Sequence, residues 1–590
     1  MVVRRCLAGL FVAFALFGQT EFFPLEMVRP GMRGTGKTVF SGSRIEDFSV
    51  EILGVIENVG PKQSLVLARL AGGPLATTGV LQGMSGSPVY VEGKLLGAVA
   101  MAFPYSKEPI AAIRPIRDML LRARAGSSRP ARTRVSLLDR NVTGAFVPPE
   151  EVLAGQSRLV DIATPISFGG FTSGTIEHFA PQLRALGLEP AQGMSGGGKA
   201  LRNAATPAAI QPGSMISVEL LSGDMNMGAD GTVTCVEGQN VYAFGHRFLS
   251  IGTTELPFAR SEVLALLPSL SSSFKISAPR EWAGTIVEDR STAVSGFLGR
   301  HAGTVPLSIE VIRGGSRGTT ASSIYRMEMV NDRFLAPFLV QMALYSAVDA
   351  TERTVGSSTI TLNGIIEFRD GTAPIRLSNS YSGEFSVPQQ ASLATAVPLA
   401  YALQSGFDSL QLKDVKLKIE AFDEKRQAQI DQAWVSRQEA QPGDTVDLSV
   451  VLVKPNGSEI TKRVSYNVPV GMPEGPLYFT IADGNATNLT EYRRFVGAPP
   501  RSPSQLVALL NSLRSNTKAY FRVWRADANY DVQGHDFPSP PASLEQVLAH
   551  TQTALGAGIP SRNSKIAEIE IDAGEVVVTG SKTVQVKITE

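Results

Sequence analysis

A serine attacks a carbonyl only if its hydroxyl projects from a tight bend and nearby backbone N–H groups can hold the oxyanion that forms. The stretch Gln82-Gly83-Met84-Ser85-Gly86-Ser87-Pro88 has the residues for such a bend, with glycine on both sides of Ser85. After Pro88, Val89-Tyr90-Val91-Glu92-Gly93-Lys94-Leu95-Leu96-Gly97-Ala98-Val99 predicts two strands turning at Glu92-Gly93, which would fix the bend on a rigid sheet. The residue types therefore point to acyl transfer, with Ser85 as nucleophile. N–H groups around Gly83 to Ser85 would hold the oxyanion, those of Gly83 and Met84 foremost.

Such a serine needs a base, and the chain has only five histidines: His178, His246, His301, His535 and His550. His246 ends the run from Gly231-Thr232-Val233-Thr234 to Ala243-Phe244-Gly245-His246, which predicts a strand, a Glu237-Gly238 turn, a second strand and then Gly-His. His178 follows Glu177 on a predicted helix, His301 follows Gly299-Arg300 in a predicted turn, and His535 and His550 lie in polar C-terminal sequence. Those four receive no role.

From Gly83 to Pro88 every residue matches the Gly-Met-Ser-Gly-Ser-Pro motif of the SpoIVB peptidase family, serine endopeptidases of bacterial sporulation and their relatives, and the chain resembles that family. The segment from Gly231 to His246 is similar to the family's Gly-Thr-x-Thr hairpin ending in Gly-His. The resemblance covers roughly a third of the chain, in two blocks. It implies that Ser85 is the nucleophile, that His246 is the general base, and that the core is a two-half, β-barrel-like serine peptidase acting on protein or peptide substrates without a cofactor or metal. In the resembled family the histidine half comes first. Here the serine half, residues 28–125, precedes the histidine half, so the chain reads as circularly permuted, which serine chemistry tolerates because its roles are spatial.

A third, orienting carboxylate is harder to place. The family has an acid shortly before the nucleophile, but no acid occurs here between Glu57 and Glu92. Asp289, in Ile286-Val287-Glu288-Asp289-Arg290, is the first choice to accept the other ring N–H of His246, and Asp47 is the alternative. A serine-histidine dyad also stays open, as does a non-catalytic cell-envelope scaffold that keeps the fold for binding.

Two motifs read as decoys. Gly31-Met32-Arg33-Gly34-Thr35-Gly36-Lys37-Thr38 satisfies the phosphate-loop pattern G-x-x-x-x-G-K-[ST], yet Arg29-Pro30 precedes it and Thr38-Val39-Phe40-Ser41-Gly42 reads as strand and turn. Without a following helix whose N–H groups face a phosphate, no nucleotide is expected. Gly193-Met194-Ser195-Gly196-Gly197-Gly198 repeats the glycines of the serine turn but lacks its proline and strand pair.

The elements that position these residues form a mainly β chain. With 590 residues, 43% hydrophobic and 18% charged, it can bury several cores, and a net charge of +1 offers no electrostatic reason for nucleic-acid binding. Arg4-Arg5, an apolar run from Leu7 to Phe17 and Gly18-Gln19-Thr20 predict a signal peptide over 1–20 and an extracytoplasmic location, periplasmic, cell-envelope or secreted, with a cell-envelope component as a further partner. Only Cys235 remains once the signal is removed, which excludes an internal disulfide. The arginine-rich stretch 122–134 begins a linker and mixed segment over 126–207, with a helix from Ile176 to Leu186. The histidine half is set at 208–350 and ends in a packed helix, Phe334 to Val348. A β-rich region is set at 351–490, sandwich-like from about 410, where strands at 446–452 and 460–466 flank Pro455-Asn456-Gly457. Residues 491–590 read as an α+β segment with a helix from Ser504 to Arg514 and a strand pair between Glu568 and Ile588.

Overall fold

The structure, a computed structural model, describes residues 21–590 apart from 61, 121–135, 138–141, 143–150, 155–156, 192–206, 271, 315–319, 351–355, 498–499, 528, 533–534, 539, 551–558 and 562. The predicted signal segment, the arginine-rich stretch and the 193–198 glycine loop thus lie outside the described residues. The chain is mainly β, as the sequence predicts.

The serine segment forms β1 (Arg33–Ser41), β2 (Arg44–Gly60), β3 (Gln63–Ala71), α1 (Leu75–Thr78), β4 (Pro88–Val91), β5 (Lys94–Ala102), β6 (Ile110–Pro115) and α2 (Ile116–Leu120). Pairing runs β4-β1-β2-β3-β6-β5, and β5 pairs back with β4, which closes a six-stranded antiparallel barrel. Phe48, Val66, Leu70, Val89, Val99 and Ile113 fill it. The β4–β5 hairpin turns at Glu92 and Gly93, both left-handed (φ 50° and 78°), the geometry favoured in a two-residue hairpin turn. The phosphate-loop pattern lies on β1. Gly36 sits under the Phe48 ring, where a Cβ would lie 2.1 Å from the ring edge, and Lys37 faces outward to pair with Asp47 at 3.2 Å. Gly34 and Gly36 therefore serve strand packing, and no helix N-terminus follows to receive a phosphate.

Beyond the barrel, β7 (Glu151–Ala154) and β8 (Ser157–Asp161) extend its sheet, with Asp161 opposite Met101 of β5. Next come β9 (Thr164–Gly169), α3 (Ser173–Ala185) and β10 (Leu188–Ala191), a crossover that pairs β9 and β10 in parallel. A second closed ring follows: β11 (Met215–Gly223), β12 (Asn226–Glu237), β13 (Asn240–Ala243), β14 (Gly252–Leu267), β15 (Phe274–Asp289) and β16 (Val294–Leu298). They pair in the order β12-β13-β16-β15-β14-β11, and β11 returns to β12. The serine turn and the Gly-His turn thus belong to two separate six-stranded barrels.

The sheet of the second barrel continues across position 350 into strands Thr304–Gly314, Thr320–Val330, Ser358–Phe368, Ile375–Gly383 and Leu412–Phe422. The helices Leu335–Asp349, buried along almost its whole length, and Val387–Leu403 pack on it. A β-sandwich follows. Its four-stranded sheet includes the predicted hairpin, Thr445–Val453 with Glu459–Asn467, and its five-stranded sheet is centred on Gly475–Asp483. Leu448, Leu452, Leu477, Phe479, Phe521 and Val586 form the common core. The predicted C-terminal strands exist as Ser564–Asp572 and Ser581–Ile588 but do not pair with each other. Each takes a different neighbour in the five-stranded sheet, because that sheet inserts two strands between them.

Main-chain and side-chain bonds join the barrels. Gly42 and Val263 exchange two backbone hydrogen bonds, and Gln82 N–H donates to Ser273 O at 2.8 Å. At the closest approach, a Cβ on Gly86 would lie 2.0 Å from Thr232 O and 2.5 Å from Phe244 N, with φ at +91°. Gly86→Ala is therefore expected to cost about 3 kcal/mol or more, since both the strained φ and the overlap with rigid backbone act against it. Gly93→Ala, at an equally left-handed φ but with nothing within 4 Å, should cost only about 1 kcal/mol. Equal melting temperatures for the two variants would refute this account of the docking.

Candidate active site

The nucleophile turn lies between α1 and β4 and is fully buried, Ser85 being 0% exposed. Its carbonyls are pinned by β12 of the other barrel. Thr232 Oγ1 donates to Gly83 O at 2.8 Å, Thr232 N–H to Ser85 O at 2.8 Å, and Thr234 Oγ1 to Gly86 O at 2.7 Å. Side chains two apart on a strand share a face, which is why the Gly-Thr-x-Thr pattern can grip one turn with both hydroxyls. Within the turn, Met84 N–H donates to Leu81 O at 3.1 Å, Gly86 N–H to Val99 O at 2.8 Å and Ser87 N–H to Met84 O at 2.9 Å. Among the described residues the N–H groups of Gly83 and Ser85 have no acceptor. Of the two donors expected from the sequence, Gly83 is available, whereas the Met84 N–H is already engaged and Ser85 supplies the second unengaged donor.

The base turn follows β13. Phe244 and Gly245 are both left-handed (φ 72° and 70°), and Gly245 packs against Ala98, Val99 and Ala100 of β5. Arg114, buried on β6, donates from Nε to Gly245 O at 2.9 Å, so the serine barrel holds the peptide unit just before His246. The His246 ring is 2% exposed. Its Nδ1 lies 2.6 Å from Arg247 O, and since a carbonyl only accepts, the neutral ring carries its proton on Nδ1. Among the described residues Nε2 is a buried lone pair with no donor and Ser85 Oγ has no partner, so the two do not hydrogen-bond to each other. Burial pushes the His246 pKa below its ordinary value, the Asp161 carboxylate opposes that shift, and Arg114 and Arg247 add to it.

The three carboxylates fare differently. Asp289 is buried on β15, and both its oxygens accept from backbone: Phe248 N–H at 2.8 Å, Leu249 N–H at 2.7 Å and Ile251 N–H at 3.2 Å. It holds the loop that follows His246 and makes no hydrogen bond to the ring, whose Nδ1 faces Arg247 O instead. Burial pushes its carboxyl up to about 6. Asp47 is exposed on β2 and paired with Lys37, away from the turn. The acid whose charge reaches His246 is Asp161, at the end of β8, 3.9 Å from Arg247 Nε and mostly buried. No local motif marks it. Only the pairing of β8 with β5, the strand that leaves the serine hairpin, brings it here.

A second buried polar group lies under the turn. The stem of Lys275 fills the space beside Gly83, where a Cβ would meet it at 3.3 Å, and its Nζ donates to Thr38 Oγ1 at 2.8 Å. Asp230 faces it, with the Ser261, Ser217 and Ser277 hydroxyls around the carboxylate. Burial lowers the Lys275 pKa to about 7 and raises that of Asp230 to about 6. Elsewhere His178 stacks on Tyr345 and His301 on Trp282, at 4.6 Å and 3.9 Å between ring centres, consistent with packing. Among the described residues no three His, Cys, Asp or Glu side chains gather as a metal-holding group.

No curated protein and no solved structure matches this chain. A family model does, and it falls on the barrel that carries the nucleophile turn. Residues 26–108 match the family described as SpoIVB peptidase S55, so over that stretch, which carries the nucleophile turn, the chain is similar to a family of peptidases.

Proposed function

We propose that the chain is an exported serine endopeptidase that cleaves protein substrates through an acyl-enzyme, with Ser85 as nucleophile and His246 as general base. One observation carries this reading. Among the described residues, Ser85 Oγ, the Gly83 and Ser85 N–H groups and His246 Nε2 are left without partners on two turns in backbone contact, as is Ser87 Oγ, which the reaction does not use. Buried polar groups without partners are rare in folded proteins, and each costs about 1–3 kcal/mol. A tetrahedral oxyanion at Ser85 would satisfy both N–H groups, and proton transfer from Oγ would satisfy Nε2.

In the reaction, His246 Nε2 takes the Ser85 proton as Oγ bonds to the scissile carbonyl carbon, whose oxygen becomes the oxyanion. The imidazolium then protonates the leaving amine as the C–N bond breaks. In the second half His246 takes a proton from water, the hydroxide attacks the ester, and Ser85 recovers its proton. Arg247 O holds the ring by its Nδ1–H throughout, Asp161 stabilises the imidazolium by its charge, and Asp289 positions the loop after the histidine. Two barrels of this kind are a known setting for serine-histidine chemistry. The serine barrel standing first in the chain supports a permuted arrangement. Export rests on the apolar N-terminal run behind Arg4-Arg5; among the described residues no helix is long and apolar enough to cross a membrane.

The burial of Ser85 favours the competing reading, a scaffold that keeps the fold for binding. A fluorophosphonate probe separates the two, because it reacts only with an activated serine. Wild-type protein should carry one adduct, on Ser85. Ser85→Ala should carry none, His246→Ala should react at least about 100-fold more slowly, and Ser87→Ala and Ser195→Ala should react as wild type. A wild-type chain that stays unmodified, or an adduct that survives Ser85→Ala, would remove the peptidase reading.

The pH dependence tests the electrostatics separately. His246 acts as a base only when neutral, so the rate of adduct formation should rise with pH and reach half its plateau below the ordinary histidine value of about 6.5, in the direction that burial imposes. Asp161→Asn removes the charge that favours the imidazolium and should move this midpoint to still lower pH. An unchanged or higher midpoint would show that Asp161 does not act on His246.

A further inference from the structure

A cleft of about 550 Å³ opens beside the nucleophile turn, between the two barrels. Its lining includes the segment from Thr78 to Gln82 that leads into Gly83 and, next to it, Ser272 to Phe274 of the histidine barrel. These two segments are tied together: Ser273 Oγ donates to Thr78 O at 2.6 Å, and Gln82 exchanges backbone hydrogen bonds with Ser273 O and Lys275 N–H. Asp161, whose charge acts on His246, also lines the cleft. The cleft therefore borders the entry to the nucleophile turn and the acid that acts on the base.

Gln82 is 6% exposed, and its amide is only half satisfied. Nε2 donates to Ser272 Oγ at 2.6 Å, while Oε1 is buried without a donor. The described residues offer nothing to this oxygen, although leaving it bare costs about as much as a hydrogen bond contributes. The other charged groups around the cleft are engaged with one another: Glu108 with Arg69 and Glu189 with Arg184, both at 2.9 Å, and Asp161 with Arg247 at the longer 3.9 Å. Gln82 Oε1 and the Asp161 carboxylate are both acceptors, so the cleft calls for a donor. Because Gln82 is bonded to Gly83, a side chain held against Gln82 belongs to the residue whose carbonyl oxygen meets the Gly83 N–H.

Resting on the peptidase reading above, we propose that this cleft is the specificity pocket for the residue that supplies the scissile carbonyl, and that it selects a side chain ending in N–H donors, bound by Gln82 Oε1 with Asp161 beside it. Lysine, arginine and glutamine share this chemistry; norleucine matches their length and lacks the donor. Tyr105 and Leu270, 77% and 102% exposed at the mouth and one from each barrel, give apolar footing to the neighbouring substrate residues.

The test measures binding, so it does not depend on turnover. Fluorescently labelled hexapeptides that differ only by lysine, glutamine, norleucine or glutamate at one position are titrated by anisotropy against the full chain carrying Ser85→Ala. Lysine and glutamine peptides should bind at least about tenfold more tightly than norleucine, the effect of one buried hydrogen bond. Adding Gln82→Leu should bring all four peptides to the norleucine level without lowering the melting temperature. Adding Gln82→Glu, which keeps the acceptor and adds charge, should favour lysine over glutamine further. Equal binding of lysine, glutamine and norleucine peptides, a preference for glutamate, or no binding at all would overturn the pocket. Discrimination by a chain that fails to react with the fluorophosphonate would keep the pocket and remove the peptidase. Reaction without discrimination would do the reverse.

Discussion

The site depends on two threonine hydroxyls that bind carbonyls. Thr232 and Thr234 do not touch a substrate; they turn the Gly83 and Gly86 carbonyls toward β12 and so fix which way the peptide planes of the nucleophile turn face. Within one peptide plane C=O and N–H point in opposite directions, so these two bonds fix the planes after Gly83 and Gly86, while the planes that carry the Gly83 and Ser85 donors are fixed by Gln82 O, which accepts from Lys275 N–H at 3.2 Å, and Met84 O, which accepts from Ser87 N–H at 2.9 Å. A single hydrogen bond of this sort adds only about 0.5–1.5 kcal/mol to stability. Its larger effect is orientation, because an oxyanion site works when its donors are in place before the charge develops. The barrels exchange this service: the histidine barrel orients the serine turn, and Arg114 of the serine barrel holds the carbonyl before His246. Neither barrel alone would present a prepared site.

The buried Lys275 and Asp230 belong to the same construction. A lysine stem packed beside Gly83 would crowd a side chain there at 3.3 Å, and the enclosed Lys275 amine is held by the Thr38 hydroxyl with the Asp230 charge acting on it. The Thr232 and Thr234 hydroxyls and the Lys275 amine all bond to groups around the turn, while Ser85 Oγ, Ser87 Oγ and His246 Nε2 are buried without partners among the described residues.

Much of this was legible in the sequence, for local reasons. Glycines at 83 and 86 require left-handed backbone, Glu92-Gly93 requires a tight hairpin, and alternating apolar residues at 446–452 require a half-buried strand; each is decided within a few residues of itself. The Gly-Thr-x-Thr pattern was recognisable as well, but its purpose was not, because the carbonyls it binds lie nearly 150 positions away. Barrel closure was hidden for the same reason, being a property of which strand pairs with which. Asp289 looked like a partner for His246 by its place after the histidine, yet three backbone N–H groups take up its oxygens, while Asp161 arrives through a strand pairing that no motif announces. Met84 sits nearer the centre of the turn than Gly83 does, and only the Leu81 carbonyl shows that its N–H is occupied. The phosphate-loop pattern misleads because glycine serves a strand crossed by a phenylalanine ring as well as it serves a phosphate.

Ser85 and His246 are sealed, at 0% and 2% exposure, in a chain whose chemistry would need a peptide carbonyl to reach them. Any turnover must then begin with a rearrangement that admits the substrate, and the observed rate is the rate of the open form multiplied by its population. Each 1.4 kcal/mol that favours the sealed form lowers activity about tenfold without altering any reacting atom. The protein's output is in that sense gated thermodynamically: a mutation, a neighbouring molecule or a change of medium that loosens the seam between the barrels would raise its activity by mass action alone, and one that tightens the seam would keep it latent.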